Sequence, residues 1–298
     1  MTPGPLLAST REELADALAP SRGAGSTIAL VPTMGALHEG HASLLALAQQ
    51  RARGGTVVVS IFVIPLQFAP GEDLDRYPRD LEADLEVCRR LGADVVFAPS
   101  PGEIYPDGEP LVTVDPGRLA TELEGASRPG HFRGVLTVVA KLLGLTRPAL
   151  AIFGEKDYQQ LVLVARMSRD LCLGVDVVGA PTVRAADGLA LSSRNRFLDA
   201  DARARATVLS RALSAARADA ADGVEAAYAA ARHVLGTEPE VEVDYLAIRT
   251  PDLAELDERQ ARGPTEARAL VAARVGGIRL IDNLPLTIGE DVDRRGDR

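Results

Sequence analysis

Apolar runs and amphipathic stretches alternate along the first part of the chain. Ser26–Val31 (STIALV) predicts a short strand, and His41–Arg53 predicts a helix with Leu44, Leu45, Leu47 and Ala48 on its apolar side. Thr56–Val63 (TVVVSIFV) is almost continuously apolar, as expected of a strand covered on both faces. A helix over Arg79–Leu91, a strand over Ala93–Phe97, a helix over Gly134–Leu145 and a strand over Ala149–Phe153 follow. Gln159–Leu171 then predicts a helix and Val175–Val178 a strand. Strands alternating with helices imply an α/β fold with a parallel sheet wrapped by helices. Ligands of such sheets sit beyond the carboxyl ends of the strands.

The pattern changes after Arg184. Asp199–Ala221 predicts one Ala- and Arg-rich helix, and Val224–Leu235 a second. Val241–Arg249 alternates apolar and charged residues, which suits a half-exposed antiparallel strand. Ala267–Val275 and Ile278–Asn283 predict strands around a turn at Gly276-Gly277. The expected organisation is a Rossmann-like parallel-sheet domain over 1–184 and a smaller C-terminal α+β domain over 185–290. The polar tail, 291–298, is expected to be disordered.

Composition narrows the function classes. Hydrophobic residues make up 46% and charged residues 25%, which excludes a mainly disordered chain. A net charge of −9 argues against broad nucleic-acid binding, while leaving room for a local cationic pocket. Two cysteines, Cys88 and Cys172, supply neither a disulfide framework nor a four-ligand zinc site. No apolar run approaches the ~20 residues of a membrane span. The N-terminus does not read as a secretory signal, so a cytoplasmic protein is expected.

Four clusters combine chain breakers with polar residues directly after predicted strands or at the domain junction. Pro32–His41 (PTMGALHEGH) holds two glycines that allow close backbone approach, then a helix entry whose N–H groups and dipole favour phosphate. Its bland alternative is a turn with two solvated histidines; a zinc pair lacks a third ligand at motif spacing. Phe62–Phe68 (FVIPLQF) places Gln67 after a buried strand. Phe153–Gln160 (FGEKDYQQ) contains Lys156, one of two lysines in an arginine-dominated chain, with Glu155 and Asp157 as possible neutralising partners. Asp187–Asn195 (DGLALSSRN) offers hydroxyls and a guanidinium in a loop able to close over polyphosphate, although a plain linker would look similar.

Together with SRPGHFRGV, these motifs resemble the pantoate–β-alanine ligase family over nearly the whole chain. That family belongs to the nucleotidyltransferase superfamily, whose HxGH signature is matched by His38–His41. The resemblance implies ATP-dependent ligation of (R)-pantoate and β-alanine through a pantoyl adenylate, with release of AMP and pyrophosphate. It makes the first domain the nucleotide- and pantoate-binding one and the second a lid. It implies an ATP site from Met34, Gly35, Ala36, Leu37, His38, Glu39, Gly40 and His41, with Gly154, Glu155, Lys156, Asp157 and Val183. The loop Leu191, Ser192, Ser193 and Arg194 completes that site. His41, His38 and Lys156 take the catalytic roles, and Gln67 and Gln160 bind pantoate. Gln67, Arg128 and His131 fall on the β-alanine side. Mg²⁺ accompanies ATP, with no protein metal ligand assigned. A homodimer with no nucleic-acid or membrane partner is expected.

One position departs from the family pattern. Ile64 stands where the family's FVNP motif has Asn. The departure leaves room for a weakened variant, or for a paralogue acting on another acid or amine. A nucleotidylyltransferase, or a non-catalytic ATP-binding protein, is the rival from a different class.

Overall fold

The computed structural model describes residues 4–64, 79–262 and 264–289. Its elements are β1 (Leu6–Ala8), α1 (Arg11–Gly23), β2 (Ile28–Thr33), α2 (Glu39–Ala52), β3 (Thr56–Ile61), α3 (Leu81–Arg90), β4 (Val95–Phe97), α4 (Pro101–Ile104), α5 (Glu124–Ser127), α6 (His131–Thr146), β5 (Leu150–Gly154), α7 (Tyr158–Asp170) and β6 (Asp176–Ala180). There follow α8 (Ala200–Ala206), α9 (Val208–Ala218), α10 (Val224–Leu235), β7 (Glu242–Arg249), β8 (Thr265–Val275) and β9 (Ile278–Ile288). The chain divides into two compact units, 1–155 with 159–181, and 156–158 with 182–298. Among the described residues no helix is long and apolar enough to cross a membrane.

The first unit is a parallel sheet in the order β1-β4-β3-β2-β5-β6, with helices on both faces. The run TVVVSI explains why: Val57 and Val59 pack with Leu45 and Ala48 of α2 on one face, while Val58 packs with the cluster of α1 and α6 on the other. Each such buried aliphatic side chain contributes about 1.5–3 kcal/mol over an exposed one. Four elements escaped the periodicity reading: β1, α1 and the single-turn helices α4 and α5. Helix α1 is set by a capping box in which Thr10 Oγ1 accepts the Glu13 N–H at 3.1 Å and Glu13 Oε2 accepts the Thr10 N–H at 3.2 Å.

The second unit is an antiparallel sheet in the order β7-β8-β9, covered by α9 and α10. Gly276 and Gly277, both at positive φ, close the β8–β9 hairpin between Val275 and Ile278. Two expectations need correction here. The single helix over Asp199–Ala221 is broken at Thr207, whose hydroxyl bonds back to the Ala204 carbonyl at 2.7 Å and competes with helix continuation. The last strand does not stop at Asn283 but runs to Ile288, because β9 is an edge strand and tolerates Pro285. The tail 291–298 lies outside the described residues.

Candidate active site

From β2 the chain moves to β3 and β4 on one side of the sheet, then crosses to β5 and β6 on the other. Strands β2 and β5 are neighbours, paired at Ala29–Leu150 and Leu30–Ala151, so the switch in strand order falls between them. Ligands of open α/β sheets bind at the carboxyl ends of such a pair. The PTMGALHEGH segment leaves β2 there, and FGE leaves β5. A side-chain carbon built on Gly154 would lie 3.9 Å from Leu44 Cδ2, so the end of β5 abuts α2.

The turn between β2 and α2 is tightly held. Thr33 Oγ1 donates to the Ser60 carbonyl at 2.8 Å and accepts the Gly35 N–H at 3.2 Å. Gly35 and Ala36 both take positive φ, +83° and +52°. A side-chain carbon at Gly35 would stand 2.8 Å from Asp84 Oδ2, so glycine is required there on two counts. Buried Asp84 on α3 accepts the Ala36 N–H at 3.0 Å through Oδ2 and the Leu37 N–H at 2.7 Å through Oδ1. Burial first, and the Asp84 carboxylate second, push the neighbouring Cys88 thiol up to about 12.

His38 is the N-cap of α2, with extended backbone, and His41 lies in its first turn. Their rings are 4.2 Å apart, centre to centre. His38 Nδ1 accepts the Gly40 N–H at 3.1 Å, and His41 Nδ1 accepts the His38 N–H at 3.2 Å. A helix entry with free N–H groups for phosphate was expected. Instead, the amides of Ala36, Leu37, His38 and Gly40 are already taken by side chains. An Nδ1 that accepts a backbone N–H carries no proton, so each neutral ring holds its proton on Nε2. The proton that each neutral ring can donate is therefore on Nε2, while those amides are already bonded within the turn.

The remaining residues fall in separate groups. In the first unit, His131 is buried, and its Nε2 lies 3.2 Å from Arg128 Nη1. Gln160 is half-buried on α7. Its neighbour Gln159 is buried, accepts the Glu124 N–H at 2.9 Å and donates to the Leu119 and Glu122 carbonyls at 2.7 and 3.0 Å. It thus clamps the segment before Arg128, in which Leu123 takes a positive φ of 51°. Ile64 is buried in the apolar cluster with Phe62, Phe97 and Phe132. Gln67 lies outside the described residues.

In the second unit, the Lys156 carbonyl accepts from Asn283 Nδ2 at 3.0 Å. Within that unit, no salt bridge joins its ammonium to Asp157 among the described residues. Arg184 grips buried Asp282 with both guanidinium nitrogens, at 2.6 and 2.9 Å, and Gly188 O at 3.2 Å, pinning the Asp187-Gly188 turn to β9. Leu191 N–H donates to the Val183 carbonyl at 2.9 Å. Ser193–Phe197 is a short 3₁₀ helix capped by Ser192, whose Oγ accepts the Arg194 N–H at 3.3 Å. Asn195 braces it by donating to the Ala190 carbonyl at 2.9 Å.

Asp84 and Gln159 are the residues that motif reading missed. The available signal for Asp84 was a carboxylate one helical turn before Cys88, on the face that meets the sheet.

Comparison with known proteins places these motifs in context. Residues 7–285 match the family model described as pantoate-beta-alanine ligase. A pantothenate synthetase from Nocardioides sp. (strain JS614) is 62% identical over 97% of this chain and 87% of its own. One from Saccharopolyspora erythraea is 55% identical over 95% and 92%. The crystal structure of pantothenate synthetase from Thermus thermophilus superposes with a TM-score of 0.86 at 49% identity, covering 94% of this chain and 98% of that one. A pantoate-beta-alanine ligase from Francisella tularensis, complexed with beta-gamma ATP and β-alanine, superposes with a TM-score of 0.74 at 34% identity, covering 94% and 97%.

Proposed function

This chain belongs to the pantoate–β-alanine ligase family, and on that premise we propose how its residues divide the work of joining pantoate to β-alanine with ATP. The observation that carries the reading is the convergence of the HxGH turn and the FGE segment on adjacent strand ends at the switch point.

A carboxylate is a poor acyl donor. Its oxygen first attacks the α-phosphorus of ATP, pyrophosphate leaves, and pantoyl adenylate forms. The neutral amine of β-alanine then attacks the acyl carbon, loses a proton to a base or water, and expels AMP. The Nε2–H groups of His38 and His41 point this chemistry to charge developing on phosphate, with His41 as proton donor to the departing group and His38 as a stabiliser. Lys156 adds a point charge for the β- and γ-phosphates, joined by Ser192, Ser193 and Arg194. Gly154 and Asp157 hold the ribose, and backbone near Val183 meets adenine. Gln67 and Gln160 bond the pantoate hydroxyls and carbonyl as uncharged amides. Arg128 and His131 serve the β-alanine side.

The ATP requirement makes a divalent metal plausible, and we assign Mg²⁺. Among the described residues no group of three or more His, Cys, Asp or Glu converges as a cation cage. No protein ligand is assigned to it; bound with ATP, it would supply charge neutralisation on the polyphosphate. The same reading takes 1–184 as the nucleotide- and pantoate-binding domain and 185–290 as the lid. It also takes the protein to be a cytoplasmic homodimer.

The test is an assay of pyrophosphate and AMP release with each substrate omitted in turn. Pyrophosphate is expected from ATP and pantoate alone, and steady AMP release only when β-alanine is added. Steady turnover to an adenylylated product that ignores β-alanine would instead favour a nucleotidylyltransferase.

A further inference from the structure

We propose that Asp84 is a positioning residue for the ligase reaction, its carboxylate holding the Gly35–Leu37 turn and thereby the relation of the His38 and His41 rings. The inference rests on the reading of those histidines given above. Two consecutive residues of the turn are left-handed, and one of them, Ala36, is not glycine. Such a backbone persists only where its surroundings over-determine it. Successive N–H groups in a left-handed turn form a concavity suited to an anion. Here Asp84 fills it, one oxygen to each amide, at 3.0 and 2.7 Å.

The next residue in the chain is His38, whose own N–H donates to His41 Nδ1. The turn thus sets the N–H that sets the His41 tautomer. Asp84 sits on a different helix, 47 and 48 residues away in sequence from its partners, so it ties the turn to the scaffold rather than to itself. Buried and bonded in this way, the carboxylate occupies the amides that phosphate would otherwise take and leaves the imidazoles as donors.

The test uses the full chain, with pyrophosphate release at saturating pantoate as the rate. Long-range ¹H–¹⁵N spectra of the four imidazoles report geometry and tautomer. Asp84→Asn keeps the shape but presents an NH₂ to one of the two amides. It is expected to lower kcat about tenfold or more, which is the weight of roughly one lost charge-assisted contact. It should shift the His38 and His41 signals away from the Nε2–H pattern while leaving His233 unchanged. Adding Ala36→Gly should restore several-fold of the lost rate, because glycine adopts the left-handed conformation without a Cβ penalty.

Wild-type kcat and imidazole signals in Asp84→Asn overturn the proposal. So does a variant that loses only stability, with unmoved signals and no rescue. Should the variant not fold, the unmodified protein decides. The Ala36 and Leu37 amides must exchange roughly 100-fold or more slowly than an unstructured chain, and free exchange overturns the proposal. His38→Ala and His41→Ala run alongside. If they keep full activity, the histidine reading itself fails and the inference falls with it; if they lose activity while Asp84→Asn does not, only the inference fails.

Discussion

Replacing Ile64 by Asn puts the one departure from the family motif to a measurable test. Ile64 is 8% exposed and packs among Phe62, Phe97 and Phe132. Removing a buried isoleucine forfeits about 1.5–3 kcal/mol of apolar transfer. The incoming amide, left without a partner in that cluster, costs about 1–3 kcal/mol more. Ile64→Asn should therefore lower the free energy of unfolding by about 2.5–6 kcal/mol in the absence of ligand, the sum of those two effects. If the amide meets pantoate, as the family resemblance implies, saturating pantoate should return about 1–3 kcal/mol more to the variant than to the unmodified chain. The assay is urea unfolding followed by far-UV circular dichroism, with and without pantoate, on both proteins. A variant as stable as the parent refutes the burial argument. Equal stabilisation of both by pantoate refutes the substrate contact and makes Ile64 a core residue only. A larger pantoate effect, together with faster pantothenate formation, would show that the natural chain trades substrate affinity for packing.

Lys156→Ala should leave the fold intact and cost adenylation about 2.7–4 kcal/mol, the weight of one transition-state donor; pyrophosphate release at saturating ATP and pantoate measures it, and a normal rate contradicts the phosphate role. Gln159→Leu should destabilise the first unit by about 3 kcal/mol, because the Glu124 N–H and the Leu119 and Glu122 carbonyls each lose a buried partner. Chemical denaturation reads the loss, and an unchanged midpoint would mean that water replaces the amide. Cys88 and Tyr105 are both raised to about 12 by burial, with Asp84 as a lesser cause for Cys88, so both stay protonated when folded above the pH at which their unfolded forms ionise. Stability should then fall as pH rises from about 9 toward 12, by up to about 1.4 kcal/mol per pH unit for each group. Cys88→Ala should flatten that slope; an identical alkaline profile counts against it.

What could be read from the chain, and what could not, divides along the distance between interacting partners. TVVVSIFV announced a strand covered on both faces because each of its residues reports its own burial, and Val57, Val58 and Val59 are buried as expected. Helix α1 is equally local, since Thr10 and Glu13 form a capping box three residues apart, a start signal present in the sequence itself. Strand β1 is different, because three residues carry no period and their pairing with Val95–Phe97 is supplied by the sheet. The break at Thr207 depends on a hydroxyl choosing a carbonyl three residues back, a choice that periodicity cannot rank. The histidines, Lys156 and the serine loop were each legible as candidate motifs. Their electrostatic state was not. The tautomers of His38 and His41 follow from backbone amides, and the turn that presents those amides is held by Asp84 from another helix. A motif therefore names the candidate groups, while the proton each one carries is decided by residues the motif leaves out.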